Sequence, residues 1–397
     1  MISICMYNKP INAVHVEVTD RCNSECPACA RSAMGGPVKS FIKNKELGIK
    51  HFTDFIGKKF CSQIKHWNFC GNLGDPSNAQ ELVEIVEFLF TCNPDTKIDI
   101  RTNGGARNGK FWEKLGEQFK NKTFEKNGGV IWSIDGLEDT NHIYRKNVRW
   151  SNLWKNFQSY FSVMEDNPAG SKGAWEFLLF DHNKHQISEI KKICESFNLE
   201  FRCKEAFGFS KNIETNETYT MPVYDRIPDE NNLYKKLYSI KPFDIDDTKL
   251  NDNHKPHVDE NYKYVRGGPY DLELIEKYLV DNNLDIDINC ASVSETENFY
   301  EIFLNADGAV YPCCFHASKM QIGDGQLKSM YNIYNNYLNK VNTMEVILSS
   351  SLFTEVLSDG ISGNLNNSKN KKSFCMTCVD SCAVDKNISK QLSTLKI

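Results

Sequence analysis

No stretch of this sequence has the makings of a membrane span or a secretory leader. The start, Met1-Ile2-Ser3-Ile4-Cys5-Met6-Tyr7-Asn8-Lys9-Pro10, has no basic segment followed by a long apolar one. The best apolar run, Leu82 to Phe90, is interrupted by Glu84 and Glu87 and falls well short of the ~20 residues a membrane helix needs. A basic tract is missing too. Lys and Arg number 47 against 52 Asp and Glu, for a net charge of −5, so nothing marks a nucleic-acid surface. There is no internal repeat. These absences point to a soluble cytoplasmic protein with neither membrane nor nucleic acid as partner. What is present is apolar material: 40% hydrophobic and 12% aromatic residues over 397 positions, enough for one large packed domain and a smaller one.

The 15 cysteines are odd in number and uneven in placement. In a reducing compartment such clusters are metal ligands more often than disulfides. Three lie between positions 22 and 29, and six between 290 and 382. Cys5, Cys61, Cys70, Cys92, Cys194 and Cys203 are scattered and read as small packed residues.

Strand and helix patterns alternate along the first half. Residues 12–20 alternate with period two and end at the first cysteine group. Further strands are expected at Ile64–Phe69, Lys97–Arg101, Val130–Ile134, Trp175–Phe180 and Leu199–Cys203. Helical patterns cover 45–58, 79–91, 110–120, 151–165 and 184–197. Such alternation implies parallel βαβ units. Five or six units in about 200 residues fit a partial (β/α)6, TIM-like barrel rather than the closed eightfold one. In that α/β architecture the chemistry sits at the C-terminal strand ends. The first cysteine group, Gly71-Asn72-Leu73-Gly74-Asp75, Thr102-Asn103-Gly104 and Ser133-Ile134-Asp135-Gly136 all fall there. Residues 1–208 are therefore read as this core. Residues 209–285, polar and proline-interrupted with a helix at 270–280, are read as an insertion or linker, one that covers the substrate. Residues 286–397 form a small cysteine-rich domain, with 359–373 a flexible loop.

Cys22-X3-Cys26-X2-Cys29 supplies three close thiolates. A [4Fe-4S] cube held wholly by protein uses four, so three leave one iron open to an outside ligand. A zinc site would want a fourth donor nearby, and the nearest histidine is His15 on the preceding strand. Three unrelated cysteines, or part of a zinc site, are the plainer alternatives.

This loop, directly after the first strand of a βα repeat, resembles that of the radical S-adenosylmethionine (SAM) superfamily, over roughly residues 12–205. The resemblance implies that SAM binds the open iron of a [4Fe-4S] cluster on Cys22, Cys26 and Cys29. Reduction by a donor such as flavodoxin or ferredoxin then yields a radical that takes hydrogen from a substrate. Ala28 stands where an aromatic residue is usual. The turn Gly71-Asn72-Leu73-Gly74-Asp75-Pro76 is similar to the family's Gly-Gly-Glu-Pro, with Asp75 for Glu. Glycines allow close backbone approach there. Ser133 and Arg145 resemble the SAM-binding pair of anaerobic sulfatase-maturating enzymes. A hydroxyl suits a ribose or carboxylate oxygen, and a guanidinium a carboxylate. Thr102, Asn103 and Asp135 join the expected SAM pocket, and Asp181-His182-Asn183 is placed near the adenine.

Cys290-X17-Gly308-X4-Cys313 followed by Cys375-X2-Cys378-X3-Cys382 is similar to the SPASM and twitch extensions of the same superfamily. Residues 303–313 read as a hairpin turning at Asp307-Gly308. Too few cysteines are present for two further clusters, which favours a twitch-type domain with one auxiliary [4Fe-4S] cluster. Its expected ligands are Cys290, Cys313, Cys375 and Cys378, with Cys382 able to replace one of the last pair. A zinc ribbon is the plainer alternative. Cys314 stands where the maturating enzymes carry an Asp. It is the one catalytic candidate, alternatively a spare ligand, a thiol donor or a packed residue. His316 nearby reads as a satisfied polar residue. The expected activity is oxidoreductase or maturase chemistry, with hydrogen abstraction from a peptide or small polar metabolite. The rival is a non-catalytic electron carrier or zinc-stabilised binding protein.

Overall fold

The computed structural model describes residues 5–6, 9–164, 170–206, 209, 219–231, 233–243, 277, 281–282, 293–294, 299–322, 327, 331, 336–357 and 378. The expected helix at 270–280, apart from residue 277, and the expected loop at 359–373 lie outside them. Eleven strands organise the described chain: β1 (Ala13–Val16), β2 (His66–Phe69), β3 (Lys97–Thr102), β4 (Gly128–Ser133), β5 (Ala174–Leu179), β6 (Glu200–Glu205), β7 (Met221–Pro228), β8 (Tyr234–Ile240), β9 (Val293–Ser294), β10 (Phe299–Leu304) and β11 (Val310–Tyr311). A further two-residue pairing joins Cys5–Met6 to Lys9–Pro10. The chain divides into two compact units. One comprises Met1–Val16, Lys50–His66 and Lys263–Ile397, the other Glu17–Ile49 and Trp67–Tyr262.

In the second unit β2 to β6 lie side by side in chain order. The pairs β3–β4, β4–β5 and β5–β6 are parallel. Helices α1 (Leu82–Cys92), α2 (Gly109–Phe119), α3 (Trp150–Ser162) and α4 (Ile187–Ser196) make the connections. The fold is thus α/β with a mostly parallel sheet. Each helix follows its apolar spacing. In α1 the buried residues are Leu82, Ile85, Val86, Leu89 and Phe90, one stripe at helical period. Asn108 caps α2 by accepting from the Phe111 N–H. Trp132 of β4 anchors the core between strands and helices, 4.9 Å from Trp112 of α2 and 5.0 Å from Phe157 of α3.

The expected helix at 45–58 is not continuous. A wide helical turn, His51–Ile56, gives way to a single turn, Lys58–Cys61, because Gly57 sits at φ 80° between them. The strand expected over 12–20 keeps its ladder only over Ala13–Val16. Beyond it the backbone turns to bond the 45–47 segment, through Leu47 N–H to Val18 O and Asp20 N–H to Lys45 O.

Part of the stretch read as a linker is an ordered antiparallel ribbon of β7 and β8. Val223 and Ile240 on it are buried with Cys26, Tyr144, Leu178 and Phe180.

In the first unit β10 runs parallel to β1, pairing Glu301 with Ala13 through Leu304 with Val16. It is antiparallel to β9 and to β11, and the β10–β11 turn is the expected Asp307-Gly308. Helix α5 (Cys314–Ile322) follows. Among the described residues no helix is long and apolar enough to cross a membrane.

One charged group on the second unit's sheet has a testable pH signature. Glu176 on β5 is surrounded by Lys204 at 2.8 Å and by Arg101 and Arg202 at 3.7 Å each. Burial raises its pKa, but the three cations outweigh burial and hold the carboxyl below its ordinary 4.5. The unfolded chain therefore binds this proton first. The stabilisation is present above about pH 4.5 and is lost as pH falls through the depressed value. Glu176→Gln is expected to lower the thermal midpoint at neutral pH and to flatten the acid limb of the midpoint-versus-pH curve. An unchanged acid limb would show that the ring of cations does not act on this group.

Candidate functional site

The cysteine loop leaves the end of β1 and enters the second unit, where three strand ends surround it. Its backbone is pinned by Glu25 N–H to Lys146 O at 3.0 Å and by the tight turn Cys29 N–H to Cys26 O at 3.1 Å. Cys26 is 8% exposed, and Cys22 and Cys29 are half-buried. Cys22 and Cys26 each have donors beside the sulfur. Cys22 Sγ accepts from Ser24 N–H at 3.4 Å and from the Asn103 amide at 3.8 Å. Cys26 Sγ accepts from Arg145 Nη1 at 3.6 Å and shares a hydrogen with Ser24 Oγ at 3.1 Å.

Burial, the Asp75 charge and the other two thiols push Cys22 well above its ordinary value. Burial and Cys26 push Cys29 up to about 11, against the pull of Arg31 and Arg145. Three close, mutually repelling thiolates are thus a poor resting state for the free loop and a good donor set for a polycationic iron cluster. Among the described residues no three His, Cys, Asp or Glu side chains gather round one point as a single metal ion would require. A cube instead takes each thiolate on a separate iron.

The Gly71–Asp75 turn is at the expected strand end, and its residues are engaged with the chain around them. A Cβ on Gly74 would meet Thr19 O at 1.7 Å, and one on Gly71 would meet Gly74 O at 2.4 Å. The glycines therefore admit the chain's own backbone. Asp75 is equally committed. Its Oδ1 accepts from Ser77 N–H at 3.0 Å, Ser77 Oγ at 2.7 Å and Thr102 Oγ1 at 2.8 Å, and its Oδ2 accepts from Asn103 N–H at 2.7 Å. It ties the ends of β2 and β3 together rather than standing open. Thr102 is buried in this tie. Asn103 exchanges amide hydrogen bonds with Asn23 at 3.0 and 3.3 Å, beside Cys22.

Ser133 ends β4 half-buried. Arg145, the other half of the expected SAM-binding pair, is ion-paired with Asp135, Nε to Oδ2 at 2.5 Å, with Asp135 fully buried. Burial lowers the Arg145 pKa, but Asp135 and Cys26 more than reverse this and hold the guanidinium charged. Asp135 also accepts from Leu178 N–H at 2.6 Å. Arg145 therefore links a buried carboxylate to a cluster thiol. Asn183, from the segment expected near the adenine, is wholly buried and bonds Asp135 O and Leu178 O at 2.9 Å each. His182 stacks on Phe180 at 5.1 Å.

Four contributors escaped the sequence reading. Glu17 is fully buried and accepts from Leu73 N–H at 2.6 Å and Gly74 N–H at 2.9 Å, shaping the glycine turn. Glu25, inside the cysteine motif itself, pairs with Lys146 at 3.3 Å and Arg226 at 3.2 Å. Lys146 also donates to Gly35 O at 2.5 Å and Tyr224 O at 3.0 Å. The ribbon is thereby fastened to the cysteine loop. Glu25 was visible as a charge between ligands; nothing local pointed to Lys146 or Arg226.

Of the second cysteine group, Cys290, Cys375 and Cys382 lie outside the described residues. Cys313 and Cys314 are half-buried at the start of α5. Cys378 is buried, 3.3 Å from His316 Nε2, and His316 Nδ1 meets Tyr331 Oη at 2.9 Å. His316 is thus a partnered buried polar residue, as expected.

No protein-family model matches the chain. A curated relative, GTP 3′,8-cyclase of Desulforamulus reducens, is 24% identical over 153 residues, 38% of this chain and 43% of that protein. The chain therefore spans less than half of that relative's length. Among solved structures, Streptococcus suis SuiB bound to the precursor peptide SuiA aligns over 90% of this chain and 68% of its own, at 12% identity and a TM-score of 0.47. The enzyme anSMEcpe with bound AdoMet and the Cp18Cys peptide aligns over 97% and 95%, at 12% identity and a TM-score of 0.45. BtrN in complex with AdoMet and 2-DOIA aligns over 94% and 93%, at 12% identity and a TM-score of 0.37.

Proposed function

We propose that the chain is a radical SAM enzyme whose [4Fe-4S] cluster is held by Cys22, Cys26 and Cys29. The observation that carries this reading is the loop itself: three thiols in one loop of the second unit, with N–H donors on Cys22 and the Arg145 guanidinium on Cys26. The segment shared with GTP 3′,8-cyclase supports an enzyme rather than a carrier. When bound, cluster and SAM supply one-electron cleavage of the sulfonium and a carbon radical that abstracts hydrogen.

The chain's own residues hold this chemistry in place. Arg145 and Asn103 place positive or N–H density against thiolate sulfur, a lever on cluster potential. Glu25, Lys146 and Arg226 lock the loop to the ribbon, and Val223, Ile240 and Phe180 keep water from Cys26. The proposal extends to a partial (β/α)6 barrel in residues 1–208. Residues 209–285 form an insertion, and 286–397 a twitch-like domain with one auxiliary cluster on Cys290, Cys313, Cys375 and Cys378 or Cys382. Substrate is a peptide or small polar metabolite, the reductant is a flavodoxin or ferredoxin, and the compartment is the cytoplasm. Ser133 remains the hydroxyl offered to SAM.

Anaerobic reconstitution with iron and sulfide, then reduction in the presence of SAM, tests the proposal. The expected result is 5′-deoxyadenosine, with about eight irons per chain for two cubes. About four irons with the same product would retain the enzyme and reassign the late cysteines. A full cluster without 5′-deoxyadenosine would make the protein an electron carrier.

A further inference from the structure

Arg31 follows the last cysteine of the loop by two residues and is 7% exposed. The chain around it holds it in place. Its carbonyl accepts from Lys39 N–H at 3.0 Å, and Ser32 and Val38 form an antiparallel bridge just beyond it. Its Nη1 donates to Asp20 O and to Leu73 O, the latter at 3.3 Å. One guanidinium thus joins the loop to the segment that leads into it and to the glycine turn.

These bonds leave Nε over. It is buried and has no hydrogen-bond partner. The loop's other buried guanidinium differs in this respect, since Arg145 gives its Nε to Asp135 at 2.5 Å and its Nη1 to Cys26 Sγ at 3.6 Å. A buried N–H without an acceptor is destabilising and rare in native proteins. Its neighbours indicate the acceptor. Cys29 is near enough for the Arg31 backbone N–H to bond its sulfur and for the Arg31 charge to act on it, both opposing the burial and the Cys26 charge that push the thiol up to about 11. Cys22 already has Ser24 N–H and the Asn103 amide beside it, and Cys26 has Arg145. The Asp20 carboxylate is turned to Lys43, whose N–H its Oδ2 accepts at 3.0 Å.

We infer that Arg31 Nε is kept for the iron–sulfur cluster of the loop and donates to its sulfur on the Cys29 side. The inference deepens the radical SAM reading and rests on the cluster that reading places on Cys22, Cys26 and Cys29. A charged N–H donor stabilises sulfur more strongly as its electron density rises. The reduced cluster gains more from it than the oxidised one, so the donor raises the reduction potential and tightens the hold on iron.

The test uses full-length Arg31→Met, Arg31→Lys and Asp20→Asn proteins, reconstituted beside wild type and kept free of SAM. Redox titration followed by electron paramagnetic resonance gives the potential of the loop cluster, whose signal is the one that Cys26→Ala protein lacks. Iron release to a chelator and the thermal midpoint with and without iron complete the set. Arg31→Met should lower the potential and release the loop iron about tenfold faster. Its thermal midpoint should fall further with iron bound than without, whereas a residue that only ties backbone together lowers both alike. Arg31→Lys, which keeps a charge and a donor, should fall between Arg31→Met and wild type. If Arg31→Met holds no iron, the potential of Arg31→Lys decides in its place. An unchanged potential overturns the inference, even where SAM binding weakens, because the acceptor is then not the cluster. Equal midpoint losses with and without iron also overturn it, as does a potential in Asp20→Asn that falls as far as in Arg31→Met. Wild type that holds no more iron than Cys26→Ala protein removes the cluster reading and the inference together. Iron-loaded wild type with an unaltered Arg31→Met removes the inference alone.

Discussion

Cys26→Ala protein, reconstituted under the same conditions as wild type, is expected to lose the iron of the first cluster and to form 5′-deoxyadenosine only at background. Cys26 is the most buried of the three loop thiols, and it is the one that Arg145 touches. Removing it leaves two ligands for four irons, too few to hold a cube open at a single site. The matched control is Cys194→Ala. Cys194 is 2% exposed on α4, and burial, with the Glu195 charge adding to it, pushes its thiol up to about 12. It is a packed residue, and its loss should leave iron content and visible absorbance intact. Equal iron in the two variants would remove the cluster from the loop.

The second large effect is expected from Arg145→Leu. Asp135 is fully buried and the Arg145 side chain is 17% exposed. Removing the cation leaves a carboxylate without its partner, at a cost of about 3–5 kcal/mol. The thermal midpoint should fall, and Cys26 should lose its donor. Adding Asp135→Asn should recover most of the stability, because no uncompensated charge is then buried and the amide still accepts from Leu178 N–H. It should not recover the electronic effect on the cluster. The double variant is therefore expected to fold and to show a shifted reduction potential. A double variant as unstable as the single would place the damage in packing rather than charge.

Much of the chain was legible locally. The stripes of α1 and α3 and the apolar strands β3 to β5 are set by period alone, so their positions agree with the expectation to within a few residues. The segment 45–58 is one exception, since a helical period continues through Gly57 although the backbone does not. The glycine turn was legible as a place, and the fold adds the contacts that its residues make. Its glycines look designed for a ligand, yet Gly74 is required because Thr19 lies against it. Asp75 looks like an open acceptor, yet Ser77, Thr102 and Asn103 use both its oxygens. Arg145 stood out in the sequence, and the fold gives it Asp135 as partner and Cys26 as neighbour.

The cysteine loop needed nothing beyond its own spacing. Three thiols between positions 22 and 29 stay close whatever the rest of the chain does, so the donor set is a local property. The bracing of Glu25 by Lys146 and Arg226, and the meeting of Arg101, Glu176, Arg202 and Lys204, are properties of the fold. Strand order decides which segments become neighbours, and side-chain alternation decides which residues share a face. A charge at position 101 carries no mark of the charges at 202 and 204 until parallel pairing brings their strands onto one sheet.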